Sequence, residues 1–347
     1  MRVLIAMSGG VDSTVAATAI LDAGYEAAGC TLRLCDGCGE RPSGSEEDLS
    51  RAAALAARLG IPHTVLDLSQ EFSEEVVRPF CLEYLAGRTP NPCIECNRTM
   101  KFGRLCDYAD RMGFDKVATG HYARIVLEEG HYRLKKAADP EKDQSYVLYH
   151  LTEERLARLC FPLGELTKTD VRRLAALRGL GDVASVGESQ DICFVPDGRY
   201  AELIERVTGR RAPEGNYVDA DGRVLGRHRG ITHYTIGQHK GLGIALGRVR
   251  YVTAISAERA EVTLGDSEEL FRREVHVGHL HYIGTRPTAE HRAAVKLRYR
   301  QTEQPATVYP EGMGARIVFD EPQRAPAPGQ SAVLYDGDTV LGGGVIS

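Results

Sequence analysis

Residues 3–13 read VLIAMSGGVDS, and this stretch decides the fold of the first half of the chain. The apolar run at residues 3–7 is typical of a buried strand, and a helix is predicted over residues 11–23. Between them, Gly9 and Gly10 let backbone N–H groups approach an anion without a Cβ in the way, and the start of the helix directs unpaired N–H groups at it. This order predicts an anion-binding turn. An ordinary glycine-rich turn is the alternative, since the turn has no lysine of the Walker type.

The pattern beyond this turn alternates strand-like and helical runs as far as residue 195. It predicts a mostly parallel sheet covered by helices, with strands at residues 27–34, 65–68 and 116–119, the last two buried, and a helix at 49–59. After about residue 210, short β-type runs separated by Gly and Pro predict small β domains or a barrel. These runs are residues 251–255, 275–279, 293–299, 315–319 and 332–335. We therefore predict an α/β fold in three domains, at residues 1–198, 199–265 and 266–347.

Length and composition narrow the class of protein. The 347 residues are 43% hydrophobic and 26% charged, which indicates a globular chain with more than one core and excludes a small module or a disordered chain. Nine cysteines are too few for a disulfide-built secreted scaffold. No apolar run approaches the ~20 residues that cross a bilayer, and the first residues do not resemble a signal peptide. We expect a cytoplasmic protein with mostly reduced thiols.

The charge is unevenly distributed. The sum of 43 basic and 48 acidic side chains is −5, which by itself argues against a nucleic-acid partner. Residues 1–195 hold 23 basic and 29 acidic side chains (−6), whereas residues 196–347 hold 20 and 19 (+1). Residues 222–257, which we call the basic tract, contain six Arg or Lys, three His and no acid. The basic tract permits contact with RNA, and a solvated face is the alternative.

Three cysteines stand in polar segments. Cys93 and Cys96 belong to NPCIECN at residues 91–97, inside a predicted loop at 86–99, and Cys193 belongs to GESQDICF at 187–194. Thiols in polar segments near cationic groups are more often reactive than thiols within apolar runs. On spacing alone, half a zinc site or a redox pair would also explain Cys93 and Cys96.

A second predicted loop, residues 35–47, carries Cys35 and Cys38. These two could pair with each other or with Cys81, or contribute two ligands to a zinc site. We expect an accessory loop here.

The motifs resemble a known family over nearly the whole chain. SGGVDS at 8–13 is similar to the PP-loop of ATP pyrophosphatases, which cleave ATP to AMP and pyrophosphate and use the AMP to activate a carbonyl oxygen. Together with the segments below, it resembles the bacterial tRNA-specific 2-thiouridylase family. These segments are AGRTPNPxxxCN at 86–97, KFG at 101–103, ATGHYAR at 118–124, KDQSYVLY at 142–149, GESQDICF at 187–194, YTIGQHKGLGI at 234–244, LRYRQ at 297–301 and PGQSAVLY at 328–335.

The resemblance implies a fold and an activity. The fold would be a Rossmann-like PP-loop domain of the adenine nucleotide α-hydrolase type, a small central domain that contacts tRNA, and a C-terminal β-barrel-like domain. The activity would be ATP-dependent 2-thiolation of the wobble uridine in tRNAs for Lys, Glu and Gln. The partners would be tRNA and a persulfide sulfur donor, either a cysteine desulfurase or a relay protein. We expect no membrane contact and a monomer or weak dimer.

The resemblance also implies roles for individual residues. Cys96 would be the nucleophile, and Cys193 would receive the persulfide sulfur. ATP would be held by Ala6, Met7, Ser8, Gly9, Gly10, Val11, Asp12, Ser13, Leu32 and Gly120, with Mg²⁺ between Asp12 and the phosphates. Asn91, Pro92 and Cys93 would meet the target base. Contacts with tRNA would come from His121, Lys142, Asp143, Gln144, Arg298, Tyr299, Arg300 and Gln330, and we expect Arg298 and Arg300 to share one face of a strand.

The chemistry agrees with this interpretation. The oxygen on uracil C2 is a very poor leaving group, and AMP transfer to it makes displacement feasible. A persulfide on Cys193 could attack C2 directly, or Cys96 could attack the persulfide and release sulfide. Either route can end in a Cys96–Cys193 disulfide, which a reductant must reset.

One departure from the family pattern leaves a second mechanism open. Most members have Asp at the position of Cys93, so the role of that Asp does not carry over. Cys93, Cys96 and Cys193 together could instead hold a 4Fe-4S cluster with one open iron site.

Two other functions also fit parts of the sequence. An adenylating amidotransferase or ligase would need no Cys193. A tRNA-binding protein without catalysis would not need the cysteines or SGGVDS.

Overall fold

The computed structural model describes residues 1–35, 44–180, 192–195 and 198–347. Its strands are β1 Arg2–Ala6, β2 Glu26–Arg33, β3 His63–Asp67, β4 Lys116–Ala118, β5 Arg124–Glu128, β6 His131–Lys135, β7 Leu159–Cys160, β8 Gly215–Val218, β9 Val224–His228, β10 Tyr251–Ser256, β11 Glu261–Gly265, β12 Phe271–Tyr282, β13 His291–Lys296, β14 Gln304–Glu311, β15 Gly314–Arg324, β16 Ser331–Asp336 and β17 Thr339–Ile346.

The α-helices among these residues are α1 Val11–Asp22, α2 Glu46–Arg58, α3 Ser69–Phe72, α4 Arg78–Leu85, α5 Pro92–Cys96, α6 Leu105–Arg111, α7 Glu153–Ala157, α8 Lys168–Leu177 and α9 Tyr200–Thr208. Two π-helical segments, Ser73–Val77 and Asn97–Arg104, connect α3 to α4 and α5 to α6. Short 3₁₀ turns occur at Ser145–Leu148, Ile231–His233 and Ser267–Leu270. None of the described helices is long and apolar enough to cross a bilayer.

The first half of the chain forms the predicted parallel sheet. Its strand order is β3-β2-β1-β4-β7, and every neighbouring pair is parallel. The chain builds outward from β1 in one direction through β2 and β3, and in the other through β4 and β7. The carboxyl ends of β1 and β4 therefore meet at the point where the order reverses, which is the usual place for a ligand in open α/β sheets.

Alternation along β1 explains why the sheet is covered on both faces. Val3 and Ile5 pack into a core with α1 and α2, whereas Leu4 packs into a second core with α6 on the opposite face. Successive side chains of a strand point to opposite faces, so a strand that is apolar throughout must be buried on both sides. The predicted α/β class is thereby confirmed. The prediction of a buried strand at residues 65–68 is wrong for Val65, which is exposed because β3 is the edge strand, whereas Leu68 is buried.

The second half contains two β structures. A four-stranded sheet has the order β10-β11-β8-β9. Beyond it, six antiparallel strands follow the order β12-β15-β14-β13-β16-β17, and pairing of β12 with β17 closes them into a barrel. The predicted C-terminal β-barrel is confirmed. The hairpin of β5 and β6 extends this sheet through the pairing of Thr339 with Lys135, so a piece of the first half lies against the barrel.

The predicted loop at residues 86–99 is only partly a loop. Pro92 occupies the first turn of α5, and the helical run continues through Asn97–Arg104 into α6. Proline is tolerated at the first helical position because its missing N–H would have no partner there. Cys93 and Cys96 therefore lie on a helix and not in an irregular loop.

Candidate active site

The nucleotide loop, residues 7–13, leaves the carboxyl end of β1 and enters α1. Gly9 has φ +75°, and Gly10 is the extended N-cap of α1 with no side-chain cap. Ser13 Oγ accepts a hydrogen bond from Ser8 N at 3.2 Å and donates to Gly10 O at 3.0 Å, which holds the turn closed on itself. The uncapped N–H groups of a twelve-residue helix remain available to an anion.

Gly120 places the segment after β4 directly against this loop. It lies two residues beyond β4, and a Cβ there would stand 2.9 Å from Asp12 C and 2.9 Å from Ser13 N. Only glycine permits this approach, because real Cβ contacts are not that short. Leu32, near the end of β2, is partly buried at the same carboxyl edge. The close approach at the switch point fits a nucleotide whose phosphates meet the start of α1.

Lys168 is a functional residue that the sequence analysis missed. Its side chain, at the first position of α8, is 9% exposed, and its ammonium binds both carboxylate oxygens of Asp12, at 2.7 and 2.9 Å. Tyr122 donates its hydroxyl to the same carboxylate at 2.7 Å. A Mg²⁺ ion held by one carboxylate together with ATP phosphates would share Asp12 with this ammonium. The capping box of Thr167 and Asp170 could have predicted the start of α8 at Lys168, but it does not indicate that Lys168 contacts Asp12.

The three thiols of Cys93, Cys96 and Cys193 come together; we call them the thiol cluster. Burial, and then the nearby thiols of Cys96 and Cys93, raise the pKa of the Cys193 thiol. Cys193 also packs against the core that contains Cys96. Cys93 is exposed, Cys96 is buried and Cys193 is intermediate, and all three are free thiols. The structure therefore joins the two predicted reactive segments, which are 97 positions apart in the sequence.

Burial makes these thiols weak acids. It raises the pKa of Cys96 to about 11 and that of Cys193 to about 12, and it also raises the pKa of Cys93. The nearby ammonium of Lys101 opposes this rise at all three thiols. A cation favours the thiolate, which is the reactive form. Lys101 is a second residue that the sequence analysis did not assign to the site, although it quoted the KFG segment.

Aromatic contacts surround the residue that follows Gly120. The ring of His121 is tilted against those of Phe102 and Phe161, with centroids 5.4 and 5.7 Å away. Its Nδ1 is 2.7 Å from Thr119 Oγ1. Burial, together with the charge of Lys101, keeps the pKa of His121 well below its usual range, so the ring is neutral. His121 therefore lies beside Gly120 and near the ammonium of Lys101, which also acts on the thiol cluster.

The thiols do not form a site for a single metal ion within the residues that the structure describes. Within residues 1–35, 44–180, 192–195 and 198–347, no three His, Cys, Asp or Glu side chains are close enough together to hold a metal ion. Cys93, Cys96 and Cys193 are therefore not placed as the ligands of a single metal ion, and an iron–sulfur cluster held by the three thiols stays a prediction.

Family models match three successive parts of the chain. Residues 1–197 match the tRNA methyl transferase HUP domain, 202–266 the tRNA methyl transferase PRC-barrel domain and 272–346 the aminomethyltransferase beta-barrel domain. The tRNA-specific 2-thiouridylase MnmA of Syntrophotalea carbinolica is 47% identical over 100% of this chain and 98% of its own length. That of Acetivibrio thermocellus is 45% identical over 99% of each chain. This chain belongs to the tRNA-specific 2-thiouridylase family.

Solved structures show a more distant likeness. A crystal structure of a 4-thiouridine synthetase–RNA complex with bound ATP matches with a TM-score of 0.39 and 16% identity, over 60% of this chain and 54% of that chain.

The base segment of this thiouridylase family member, residues 89–93, is held from two sides. Asn91 caps α5, and its Oδ1 accepts a hydrogen bond from Cys93 N at 3.1 Å. Thr89 N donates to Pro328 O at 2.7 Å, and Gln330 Nε2 donates to Thr89 O at 2.7 Å. The barrel therefore positions this segment. Gln330 thus contacts the backbone next to the predicted base site, and its contact with tRNA stays a prediction.

The 142–144 segment has a structural part and a more exposed part. Asp143 is buried and accepts hydrogen bonds from Ala137 N at 3.0 Å and Ser145 Oγ at 2.8 Å. Gln144 Oε1 accepts a hydrogen bond from Tyr122 N at 2.9 Å. Lys142 and Gln144 are partly exposed. The structure gives Asp143 a role in holding its own segment, and tRNA contact by this segment stays a prediction.

The prediction that Arg298 and Arg300 share the face of a strand is wrong. Strand β13 ends at Lys296, and residues 297–300 form a turn. Arg298 is partly buried and donates to Ala325 O at 2.6 Å and Ile236 O at 3.4 Å, which connects the barrel to the segment after the central 3₁₀ turn. Tyr299 and Arg300 are exposed, and the phenol of Tyr299 is electrostatically coupled to the thiol of Cys93.

Of the two cysteines in the predicted 35–47 loop, the structure describes Cys35. Cys35 is disulfide-bonded, and Cys81 is a free thiol, so pairing of Cys35 with Cys81 is excluded. Cys38 lies outside the described residues, as do Glu188 and Asp191 of the GESQDICF segment.

Proposed function

We propose that this chain catalyses ATP-dependent 2-thiolation of the wobble uridine of tRNAs for Lys, Glu and Gln. The supporting observation is the proximity of the groups. Gly120 packs on the nucleotide loop, and its neighbour His121 contacts Phe102 near Lys101, whose ammonium is close to all three thiols. Groups that adenylate a base and groups that deliver sulfur to it are therefore near one another. The curated relatives at 45–47% identity carry the name of this activity.

The first step activates the base. The uracil O2 attacks the α-phosphorus of ATP, the bond to the β-phosphate oxygen breaks, and pyrophosphate leaves. The start of α1 and Lys168 stabilise the phosphate charge, and Mg²⁺ held by Asp12 would neutralise charge on the departing pyrophosphate. The wobble base must leave the anticodon stack to reach the site, as RNA-modifying enzymes require. Exposed Tyr299, close to Cys93, offers a ring on which the base can stack.

The second step delivers sulfur. Cys193 carries a persulfide received from a cysteine desulfurase or a relay protein. Its terminal sulfur attacks C2. The Cys96 thiolate then attacks the Cys193 sulfur, the persulfide bond breaks, its electron pair forms the C=S bond, and AMP leaves. In the variant order, Cys96 attacks the persulfide first and the released sulfide attacks C2. Both orders oxidise the two cysteines to a Cys96–Cys193 disulfide and require two electrons to reset the enzyme.

A reconstituted reaction tests this function. The protein is incubated with ATP, Mg²⁺, an unmodified glutamate tRNA transcript, a cysteine desulfurase and cysteine, and the nucleoside digest is analysed for 2-thiouridine by mass spectrometry. We expect 2-thiouridine with the wild type, none with Cys193→Ser or Cys96→Ser, and wild-type yield with Cys160→Ser, whose thiol lies in β7. Full activity of Cys193→Ser would refute the mechanism, and ammonia-dependent product without sulfur would favour an amidotransferase.

A further inference from the structure

The thiol cluster contains one more thiol than the proposed sulfur transfer uses. Cys96 and Cys193 complete the reaction by themselves, and Cys93 has no step in it. Cys93 is nevertheless the exposed member, whereas Cys96 is 9% exposed and Cys193 is intermediate. Desolvation by surrounding protein raises the pKa of the Cys93 thiol although its surface is accessible. This combination is expected of a residue on the wall of a cleft.

The helix brings Cys93 within disulfide reach of Cys96. The two residues stand at i and i+3 in α5, and such residues are neighbours on a helix surface, with Cβ atoms about 5–6 Å apart. A disulfide requires Cβ atoms about 3.5–4.5 Å apart, so a small shift in the first turn of the helix suffices. Cys193 packs against the core that contains Cys96. Burial, and then the nearby thiols of Cys96 and Cys93, raise the pKa of Cys193, so the three thiols are neighbours.

The disulfide left by turnover is poorly placed for reduction. Reduction of a Cys96–Cys193 disulfide by an external dithiol needs in-line access of a thiolate to one of two sulfurs. Cys96 is buried and belongs to the core that also contains Met100, Phe72 and Phe80. A bulky protein reductant therefore reaches Cys93 more readily than it reaches either oxidised sulfur.

We propose that Cys93 is the resolving thiol of this enzyme. After sulfur transfer, the Cys93 thiolate attacks the Cys96 sulfur, the Cys96–Cys193 bond breaks, and Cys193 leaves as a thiolate that takes up a proton. The product is a Cys93–Cys96 disulfide at the accessible end of the cluster. A protein dithiol then attacks the Cys93 sulfur, supplies two electrons and is itself oxidised to a disulfide. Cys193 is free to accept the next sulfur before reduction occurs. This role rests on the proposed thiolation.

Disulfide mapping after one turnover tests the relay. Protein preloaded with persulfide is mixed with ATP, Mg²⁺ and tRNA without reductant, quenched with acid, alkylated, and mapped by mass spectrometry of unreduced peptides, with the disulfides counted per 2-thiouridine formed. We expect Cys93–Cys96 with alkylated Cys193 in the wild type and in the control Cys160→Ser. In Cys93→Ser and Cys93→Asp, the Cys93–Cys96 disulfide is lost and the product-linked disulfide is Cys96–Cys193. Wild-type product accompanied by Cys96–Cys193 and alkylated Cys93 overturns the relay.

A second measurement separates the relay from the proposed function. The protein alone is equilibrated in glutathione buffers of increasing oxidised fraction and mapped in the same way. We expect Cys93–Cys96 as the disulfide that forms and Cys193 as the thiol that remains alkylated. Predominant Cys96–Cys193 in these buffers overturns the relay, whether or not the protein makes 2-thiouridine. Absence of 2-thiouridine in the first experiment refutes the thiolation alone.

Discussion

The ammonium of Lys168 is hydrogen-bonded to Asp12 and so places a positive charge at the nucleotide loop. Without Lys168, the carboxylate of Asp12 would face the phosphates of ATP with only the hydroxyl of Tyr122 to offset its charge. Hydrogen bonds to charged groups contribute about 1.5–3 kcal/mol. The chain therefore relies on a residue 155 positions beyond its loop for the charge that a Walker lysine supplies within the loop itself.

We predict that Lys168→Met weakens ATP binding about 10- to 100-fold, since 1.4 kcal/mol corresponds to a factor of ten. Isothermal titration of ATP measures this effect. Lys116→Met is the matched control, because Lys116 is the first residue of β4 and lies at the amino ends of the strands, away from the nucleotide loop at their carboxyl ends. Equal affinities of the two variants would contradict a role for Lys168 in phosphate binding.

The thiols predict a pH dependence whose sign follows from burial. The pKa of Cys96 is raised to about 11 and that of Cys193 to about 12, so both are protonated at neutral pH. The thiolate fraction, and with it the rate of alkylation by iodoacetamide, should rise about tenfold per pH unit between pH 7 and 9. Quantitative mass spectrometry of the Cys96 and Cys193 peptides in the substrate-free protein measures both rates.

Lys101 supplies the cation in this pH profile. Its removal in Lys101→Met should raise both thiol pKa values and slow alkylation at every pH below them, whereas Lys101→Arg should retain most of the rate. Unchanged rates in Lys101→Met would show that the ammonium does not act on the thiols.

At the scale of elements, the helical run from α5 to α6 carries the chemistry and the barrel holds its start. Residues 328–330, between β15 and β16, hold Thr89 through two backbone-directed hydrogen bonds. Gly329 has φ +90°, and a Cβ there would stand 2.9 Å from Thr89 N. The turn and the base segment are therefore in contact along their backbones, with no space for a side chain.

We predict that Gly329→Ala lowers thiolation much more than ATP binding, because the added Cβ displaces the base segment and leaves the nucleotide loop in place. The 2-thiouridine assay and ATP titration measure the two effects. Gly312→Ala is the matched control, since Gly312 also has a positive φ, +56°, in a barrel hairpin but has open space around its Cβ. Equal loss of thiolation in both variants would attribute the effect to backbone strain alone.

At the scale of the whole molecule, the charge distribution separates the basic tract from the acidic nucleotide half. Within the described residues, Arg248 and Arg250 form ion pairs with Asp266, each at 3.3 Å, whereas Arg223 and Arg229 are exposed and have no acidic partner within 4.0 Å. Unpaired exposed arginines are the ones available to phosphate. Each phosphate contact contributes about 0.7–0.9 to the slope of log affinity against log salt.

We predict that Arg223→Gln with Arg229→Gln weakens tRNA binding and reduces the salt slope by about 1–2, with ATP binding unchanged. The control, Arg248→Gln with Arg250→Gln, removes paired arginines and should change the slope less. Filter binding of tRNA across a salt series measures both. A larger change in the control variant would place the tRNA elsewhere.

Local sequence patterns predicted the structure correctly where the conformation of a segment depends on its own residues. The continuous apolar run at residues 3–7 predicted β1, short β-type runs between Gly and Pro predicted the barrel strands, and the paired glycines before α1 predicted the nucleotide loop. The same reasoning failed at residues 86–99, where Pro92 was taken as a loop signal although proline also starts helices. It failed again at residues 297–300, where an alternating pattern ends in a turn because Arg298 points to the carbonyls of Ala325 and Ile236.

The sequence by itself determined the class of fold, the family and the two reactive cysteine segments, because each is written in a contiguous run of residues. Only the tertiary structure decided which distant groups meet. It placed Lys168 on Asp12, Lys101 beside three thiols and the barrel turn on Thr89. Apart from Lys101 with Cys93 and Cys96, which share one helical run, these contacts join residues 92 to 241 positions apart. Their closeness depends on chain packing, which local propensity and periodicity do not encode.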